Sequence, residues 1–116
     1  MFTLNEKDFG YRHGDHGPKY LMMGPRANFG IVRLLAGEVV APHVHRVMEE
    51  DFYVLEGRVE IEVGGEVLTA EEGQFIHIEP GEPHRLENSG NIPVRLVVVA
   101  APFAESDKYT TGGEHM

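Results

Sequence analysis

Two histidines and a glutamate lie close together in the sequence at a spacing that suits metal binding. Side chains alternate between the faces of an extended strand, so His43 and His45 project to the same side, about 7 Å apart. Glu50 would bring a carboxylate from the next strand, and His84, within residues 80–88 (PGEPHRLEN), offers a third imidazole. Neutral imidazoles and a carboxylate suit a divalent transition metal. These four side chains are the candidate ligands.

The composition limits the kinds of partner that this chain can have. The 116 residues are enough for one core, and without cysteine a metal site must use nitrogen and oxygen. The net charge of −9 argues against nucleic acid as a partner. There is no apolar run of about 18 residues, and the first residues, MFTLNEKD, carry charges where a signal peptide is apolar. We expect a cytoplasmic protein with a small-molecule ligand and neither nucleic acid nor membrane as partner.

The pattern of apolar residues predicts strands along most of the chain. Residues 58–63 (RVEIEV) alternate charged and apolar side chains, and Gly64 and Gly65 then predict a hairpin to a strand at 66–70. Further strands are predicted at residues 20–23, 29–36, 74–78, 83–87 and 92–101. No window of helical length has a 3.6-residue apolar period. Short strands separated by glycine turns predict an all-β antiparallel barrel, closed or sandwiched.

Glycines around the candidate ligands complete two motifs of a known family. The first motif, G-x5-HxH-x4-E-x6-G, is filled by Gly37, His43, His45, Glu50 and Gly57. The second, G-x5-PxG-x2-H-x3-N, is matched by Gly73, Gly81, His84 and Asn88. Glu79 stands at the first proline position of that motif, with Pro80 one place later, a departure in the turn and not in a ligand. With only residues 58–72 between the motifs, the chain resembles small single-domain members of the cupin superfamily.

The resemblance implies an antiparallel cupin β-barrel, a jelly roll or double-stranded β-helix, with a metal in its interior. The implied ligands are His43, His45, Glu50 and His84. Strand parity also supports Glu50 over Glu49, because Glu50 shares its face with Phe52 and Val54. Three imidazoles and one carboxylate leave about two positions open on an octahedral metal and fit Fe, Mn, Co, Ni or Zn.

The resemblance leaves the reaction open. Cupins with similar sites include dioxygenases, decarboxylases, isomerases and epimerases, and some members are not known to catalyse anything, so the fold does not settle the activity. One hypothesis is an enzyme that acts on a sugar, sugar acid or dicarbonyl by metal Lewis-acid isomerisation or Fe-dependent dioxygenation. The other is a non-catalytic cupin that binds or senses a metabolite.

His77 is the one further candidate for a catalytic residue. If its side chain points inward from the predicted strand 74–78, it can act as a general acid or base, since its unperturbed pKa of about 6.5 suits that role. If it points outward, it is a surface or interface imidazole. His13 and His16, in a glycine-rich segment, either cover the mouth of the barrel or belong to a flexible loop.

The sequence predicts one domain that associates with a second copy. We expect a cupin domain over residues 1–116, with the barrel core at about 20–103 and a peripheral arm (1–19) and tail (104–116) that pack loosely. The valines at positions 40, 44, 97 and 99 have the parity opposite to the inward set, so some would face outward. An apolar outer face is usually covered by a partner, which predicts a homodimer.

Overall fold

The protein consists of nine strands in two antiparallel sheets. The computed structural model describes residues 1–116. The strands are β1 (Gly17–Met23), β2 (Asn28–Leu34), β3 (Val39–His43), β4 (Glu49–Glu56), β5 (Arg58–Val63), β6 (Glu66–Glu71), β7 (Phe75–Ile78), β8 (His84–Glu87) and β9 (Val94–Ala101). One 3-10 turn, Glu6–Asp8, precedes them and is far too short to cross a bilayer.

The chain passes repeatedly from one sheet to the other. The larger sheet has the order β1-β2-β9-β4-β7, and the smaller has the order β3-β8-β5-β6. All pairings are antiparallel. The prediction of an all-β antiparallel jelly roll is therefore confirmed, and so is the hairpin through Gly64 and Gly65 that joins β5 to β6.

The core lies between the two sheets and follows the period of two that the sequence indicates. Along β9 every second residue is buried, including Val94, Leu96 and Val98. The smaller sheet contributes Val59 and Ile61, which are fully buried in the same cluster. Each such side chain stabilises the fold by roughly 1.5–3 kcal/mol relative to its exposed state. The core does not depend on the four candidate ligands.

The arm before the barrel is held more firmly than its composition suggests. β1 begins at Gly17, three residues before the predicted strand, and the glycine-rich segment leads directly into it. In the 3-10 turn, the Glu6 carboxylate accepts hydrogen bonds from Arg95 (2.8 Å) and lies 3.3 Å from the Lys19 ammonium. These ion pairs fix the arm on the outer face of the larger sheet, so the charges of Glu6 and Lys19 are paired and not simply solvated.

Two motif glycines are required by the backbone. Gly57, at the turn from β4 to β5, has a φ of +81°, and an added Cβ would lie 2.7 Å from the carbonyl oxygen of Pro93. Gly81 has a φ of +85°, and its N–H donates to the carbonyl of His45 (2.7 Å). Side chains other than hydrogen are strained at such φ values. The Gly81 turn thereby ties the second motif to the first.

Candidate metal centre

Three different segments bring the four candidate ligands together. His43 is the last residue of β3 and lies opposite His84, the first residue of β8. His45 follows in the loop between β3 and β4, and Glu50 is the second residue of β4. All four are buried, and Glu50 shares the inner face of β4 with Phe52 and Val54, as its parity predicts.

The ligand atoms of these residues converge. The Glu50 carboxylate lies 2.9 Å from Nε2 of His84, 3.3 Å from Nε2 of His45 and 3.8 Å from Nε2 of His43. The four ligand atoms all lie within 4.8 Å of one another. The rings of His43 and His45 are 5.1 Å apart between centroids, on the same side of the chain as predicted. The arrangement could therefore hold one metal ion.

Hydrogen bonds to the backbone orient all three imidazoles. Nδ1 of His43 bonds to the carbonyl of Ala41 (2.8 Å), Nδ1 of His84 to that of Glu82 (2.9 Å), and Nδ1 of His45 to that of Asp107. A carbonyl can only accept, so each Nδ1 carries a proton and Nε2 is the ring atom left to face the Glu50 carboxylate; in a neutral ring this Nε2 has a lone pair that a metal ion can bind. Nε2 of His45 is buried and has no hydrogen-bond partner. This unpartnered nitrogen and the donor set fit a bound cation.

Asp107, in the tail, is a residue of the site that the sequence did not point to. It is buried, and its carboxylate accepts hydrogen bonds from the backbone N–H groups of Arg46, Val47 and Met48, each at 2.9 Å. Its backbone carbonyl oxygen accepts a hydrogen bond from the Nδ1–H group of His45. The expectation of a loosely packed tail is therefore wrong at this residue, because the tail fastens the loop that carries His45.

The electrostatics keep the carboxylates of this region ionised. Burial alone would raise the pKa of Glu50, but the histidines that face its carboxylate hold it well below the usual range. Burial opposes the charge of Asp107 in the same way, and the three backbone N–H donors lower its pKa nonetheless. Burial disfavours a proton on His45, yet Glu50 and the Asp107 carbonyl raise its pKa. A cation at the centre would take the place of that proton.

A small cavity opens beside the ligands. It has a volume of about 140 Å³, and among its lining residues are His43, Glu50, Phe52 and Tyr20. Burial and the nearby Glu50 charge raise the pKa of Tyr20, so its phenol keeps its proton. A second cavity of about 270 Å³ touches His45 and Met48. A larger depression of about 420 Å³ near the β4–β5 turn contains none of the four ligands.

Three of the remaining motif and histidine positions have other surroundings. Asn88 is buried, and its amide donates to the carbonyls of Leu34 (3.0 Å) and Ile92 (2.8 Å), so this motif residue holds the loop after β8 and is not a ligand. His16 bonds to Asp15 (2.8 Å) in the turn before β1. Neither His13 nor His16 lines the cavity beside the ligands.

His77 points away from the cavity. Ile76 and Ile78, on either side of it in β7, are buried in the core, and His77 lies opposite Asp51 on the outer face of the sheet. Its ring bonds to the carboxylates of Asp51 and Glu79. The inward orientation that a catalytic role requires is not present, because the parity of the two isoleucines turns the imidazole outward.

His77 is expected to titrate far above a free imidazole. Its hydrogen bonds to Glu79 and Asp51 raise the pKa of His77 to about 9. The pKa of His77 in the folded state exceeds its value of about 6.5 in the unfolded chain. The contribution of its ion pairs to the stability of the fold is therefore complete below pH 6.5 and is lost as the pH rises through about 9. NMR titration of the ring protons should give this pKa, and His77→Gln should reduce the loss of stability between pH 7 and 10. A ring that titrates near pH 6.5 would contradict the ion pairs of His77 with Asp51 and Glu79.

The fold and the ligand geometry agree with a comparison to known families. A family model described as "Cupin domain" matches residues 30–100. The chain is a cupin. The match spans β2 to β9 and includes both motifs, so the resemblance predicted from the sequence is confirmed.

Proteins of known sequence or structure resemble this cupin over about two thirds of its length or more. It is 35% identical over 75 residues to the tetracenomycin polyketide synthase protein TcmJ of Streptomyces glaucescens, a match that covers 65% of this cupin but only 50% of TcmJ. A solved structure from Thermus thermophilus has a TM-score of 0.77 at 28% identity, over 88% of this cupin and 98% of that chain. A predicted oxalate decarboxylase from Thermotoga maritima has a TM-score of 0.63 at 21% identity, over 76% of this chain and 94% of that one.

Proposed function

We propose that this cupin is a metal-dependent enzyme that acts on a small oxygenated metabolite. His43, His45, Glu50 and His84 would hold one divalent transition metal, either Fe, Mn, Co, Ni or Zn. The observation that carries the proposal is the shared orientation of three Nδ1–H groups onto backbone carbonyls, which leaves three Nε2 atoms facing one buried carboxylate. In neutral imidazoles these three nitrogens, with the carboxylate, are a donor set that suits a divalent transition metal.

The chain's own residues then define what happens around the metal. When bound, the cation would supply Lewis-acid polarisation of substrate oxygens or, as Fe(II), oxygen chemistry. The adjacent cavity would position the substrate against Phe52 and its apolar neighbours, which exclude water. The protonated Tyr20 phenol would donate a hydrogen bond to an oxygen of the bound molecule.

Two further facts bear on the choice between catalysis and binding. One structural neighbour is named a predicted oxalate decarboxylase, which supports an enzyme whose substrate is small and oxygenated. The outward orientation of His77 removes one candidate acid–base group and favours the second hypothesis, a cupin that binds or senses a metabolite without converting it.

Turnover assays with defined metals distinguish these functions. The purified chain would be loaded separately with Fe(II), Mn(II), Co(II), Ni(II) and Zn(II) and incubated with sugar acids, sugars and diketones, with and without air. Oxygen uptake in the presence of substrate that occurs with Fe(II) and with no other metal is the result expected of a dioxygenase. Product formed equally without oxygen is the result expected of an isomerase or decarboxylase. Tight ligand binding with no turnover for any metal would overturn the proposal of an enzyme and support a cupin that binds or senses a metabolite.

The outer face of the larger sheet supports a homodimer. Phe29 on β2, Tyr53 on β4 and Phe75 on β7 are 37%, 42% and 63% exposed, and Val97 and Val99 of β9 lie half-buried between β2 and β4. By contrast Val40 packs against the core, since a bulge between Val40 and His43 shifts the parity of β3. The apolar patch on the larger sheet borders the charged side chains of β4 and β7, and an exposed patch of this kind often marks an interface. We propose that a second copy covers it.

Charge placed in that face should separate the two copies. Phe75→Glu puts a carboxylate into the proposed interface, and we expect the mass measured by light scattering to fall from a dimer to a monomer. Val67→Glu is the matched control, because Val67 is similarly exposed (59%) but lies on β6 of the other sheet. A monomeric mass for the unmodified protein would contradict the dimer.

A further inference from the structure

Two cations without acidic partners lie at the edge of the cavity beside the candidate ligands. Arg12, from the arm, and Lys108, from the tail, both line it and are both exposed. Neither side chain takes part in an ion pair, whereas Lys19, Arg85 and Arg95 each have a carboxylate within 4 Å. The charge of Arg12 also acts on Tyr20 within the same cavity.

What sets these two cations apart is their position and not the lack of an ion pair. They are the two basic side chains that line the cavity beside His43 and Glu50. Lys108 lines two of the three cavities that reach a candidate ligand, one at His43 and Glu50 and the other at His45. The next residue in the chain after Asp107 is Lys108, so the hydrogen bonds that fasten Asp107 also hold the backbone from which the Lys108 side chain extends.

The cavity itself limits the size and polarity of a ligand. Its volume of about 140 Å³ is well below the roughly 300 Å³ of sites for drug-sized molecules and corresponds to about five waters of ~30 Å³ each. Much of its wall is apolar and is formed by Val32, Val40, Phe52, Leu86 and Val98. Such a wall offers no partners for a row of hydroxyl groups. A polyhydroxylated sugar is therefore disfavoured.

We propose that the ligand of this site is a short organic acid whose carboxylate is bound by Arg12 and Lys108. The assignment deepens the proposed function, on which it rests, by naming the substrate class. The planar guanidinium of Arg12 matches a carboxylate with two parallel hydrogen bonds, and Lys108 adds a second charge. The remainder of the acid lies against the apolar wall and reaches toward His43 and Glu50.

Calorimetric titration of the protein loaded with Zn(II) tests the proposal. The probes are 2-oxobutanoate, its uncharged methyl ester and inorganic phosphate. We expect the acid to bind more tightly than the ester. Arg12→Ala and Lys108→Ala should each lower the affinity for the acid about fivefold, and the double variant should lower it about 25-fold. Affinity for the ester should not change. Arg26→Ala is the matched control, because Arg26 also has no acidic partner and lines neither cavity.

Each other outcome has a definite consequence. An unchanged affinity for the acid in the double variant, equal losses for acid and ester, or an absence of acid binding would overturn the assignment. Tighter binding of phosphate than of the acid would overturn the carboxylate as the recognised group. The zinc content of every sample is measured in parallel. Acid binding that depends on both cations in a chain that takes up no zinc would overturn the proposed function and leave this inference standing.

Discussion

Replacement of His45 by alanine is expected to abolish metal binding and leave the barrel folded. His45 supplies one of the three Nε2 atoms, and the core cluster contains none of the four ligands. The loss of affinity should exceed the roughly 10–100-fold that follows loss of a residue supporting a ligand. Metal content after loading and dialysis, measured beside the thermal unfolding curve, tests both parts of the prediction.

A histidine outside the site provides the control for that experiment. His13→Ala removes an exposed imidazole that lines neither cavity, so its metal content should equal that of the unmodified protein. An unchanged stoichiometry in His45→Ala would contradict the proposed ligand set. Unfolding of the variant would contradict the separation between core and site.

Replacement of Asp107 by alanine is expected to lower both the free energy of unfolding and the affinity for metal. The change leaves the N–H groups of Arg46, Val47 and Met48 without their acceptor. The free energy of unfolding should fall by about 2–4 kcal/mol, since hydrogen bonds to a charged group are among the stronger ones. The backbone carbonyl of Asp107 orients His45, and without the side-chain hydrogen bonds this carbonyl would be held less firmly. Metal affinity should therefore fall about 10–100-fold.

Two other substitutions separate these effects. Asp107→Asn keeps one oxygen acceptor and should lie between the alanine variant and the unmodified protein in denaturant unfolding. Glu105→Ala removes an exposed carboxylate of the same tail and should change neither stability nor metal affinity. If Asp107→Ala behaved like Glu105→Ala, the tail would have no part in the site.

Local patterns were sufficient to predict the strands and the four clustered residues. The alternation in residues 58–63 specifies one strand face, and the two glycines after it specify the hairpin. The parity that placed Glu50 with Phe52 and Val54 needs no knowledge of the rest of the chain. The same rule would have placed His77 outward, because Ile76 and Ile78 flank it, and this signal was available in the sequence.

Contacts between distant segments account for what the sequence did not predict. Asp107 reaches Met48 across 59 positions of the chain, and no local pattern distinguishes it from other acidic residues in a polar tail. Arg12 and Lys108 line one cavity only because the arm and the tail both return to it. The bulge that turns Val40 inward arises from the pairing of β3 with β8, which the alternation along β3 does not reveal.

Anomalous diffraction from crystals of the metal-loaded chain tests the central claim most directly. A single peak per chain is expected, bonded to Nε2 of His43, His45 and His84 and to the carboxylate of Glu50. The outer cluster of Glu49, Asp51 and His77 also brings three potential ligand atoms within 4.8 Å and serves as the internal comparison. A peak at that cluster alone, or no peak at the four-residue centre, would contradict the account.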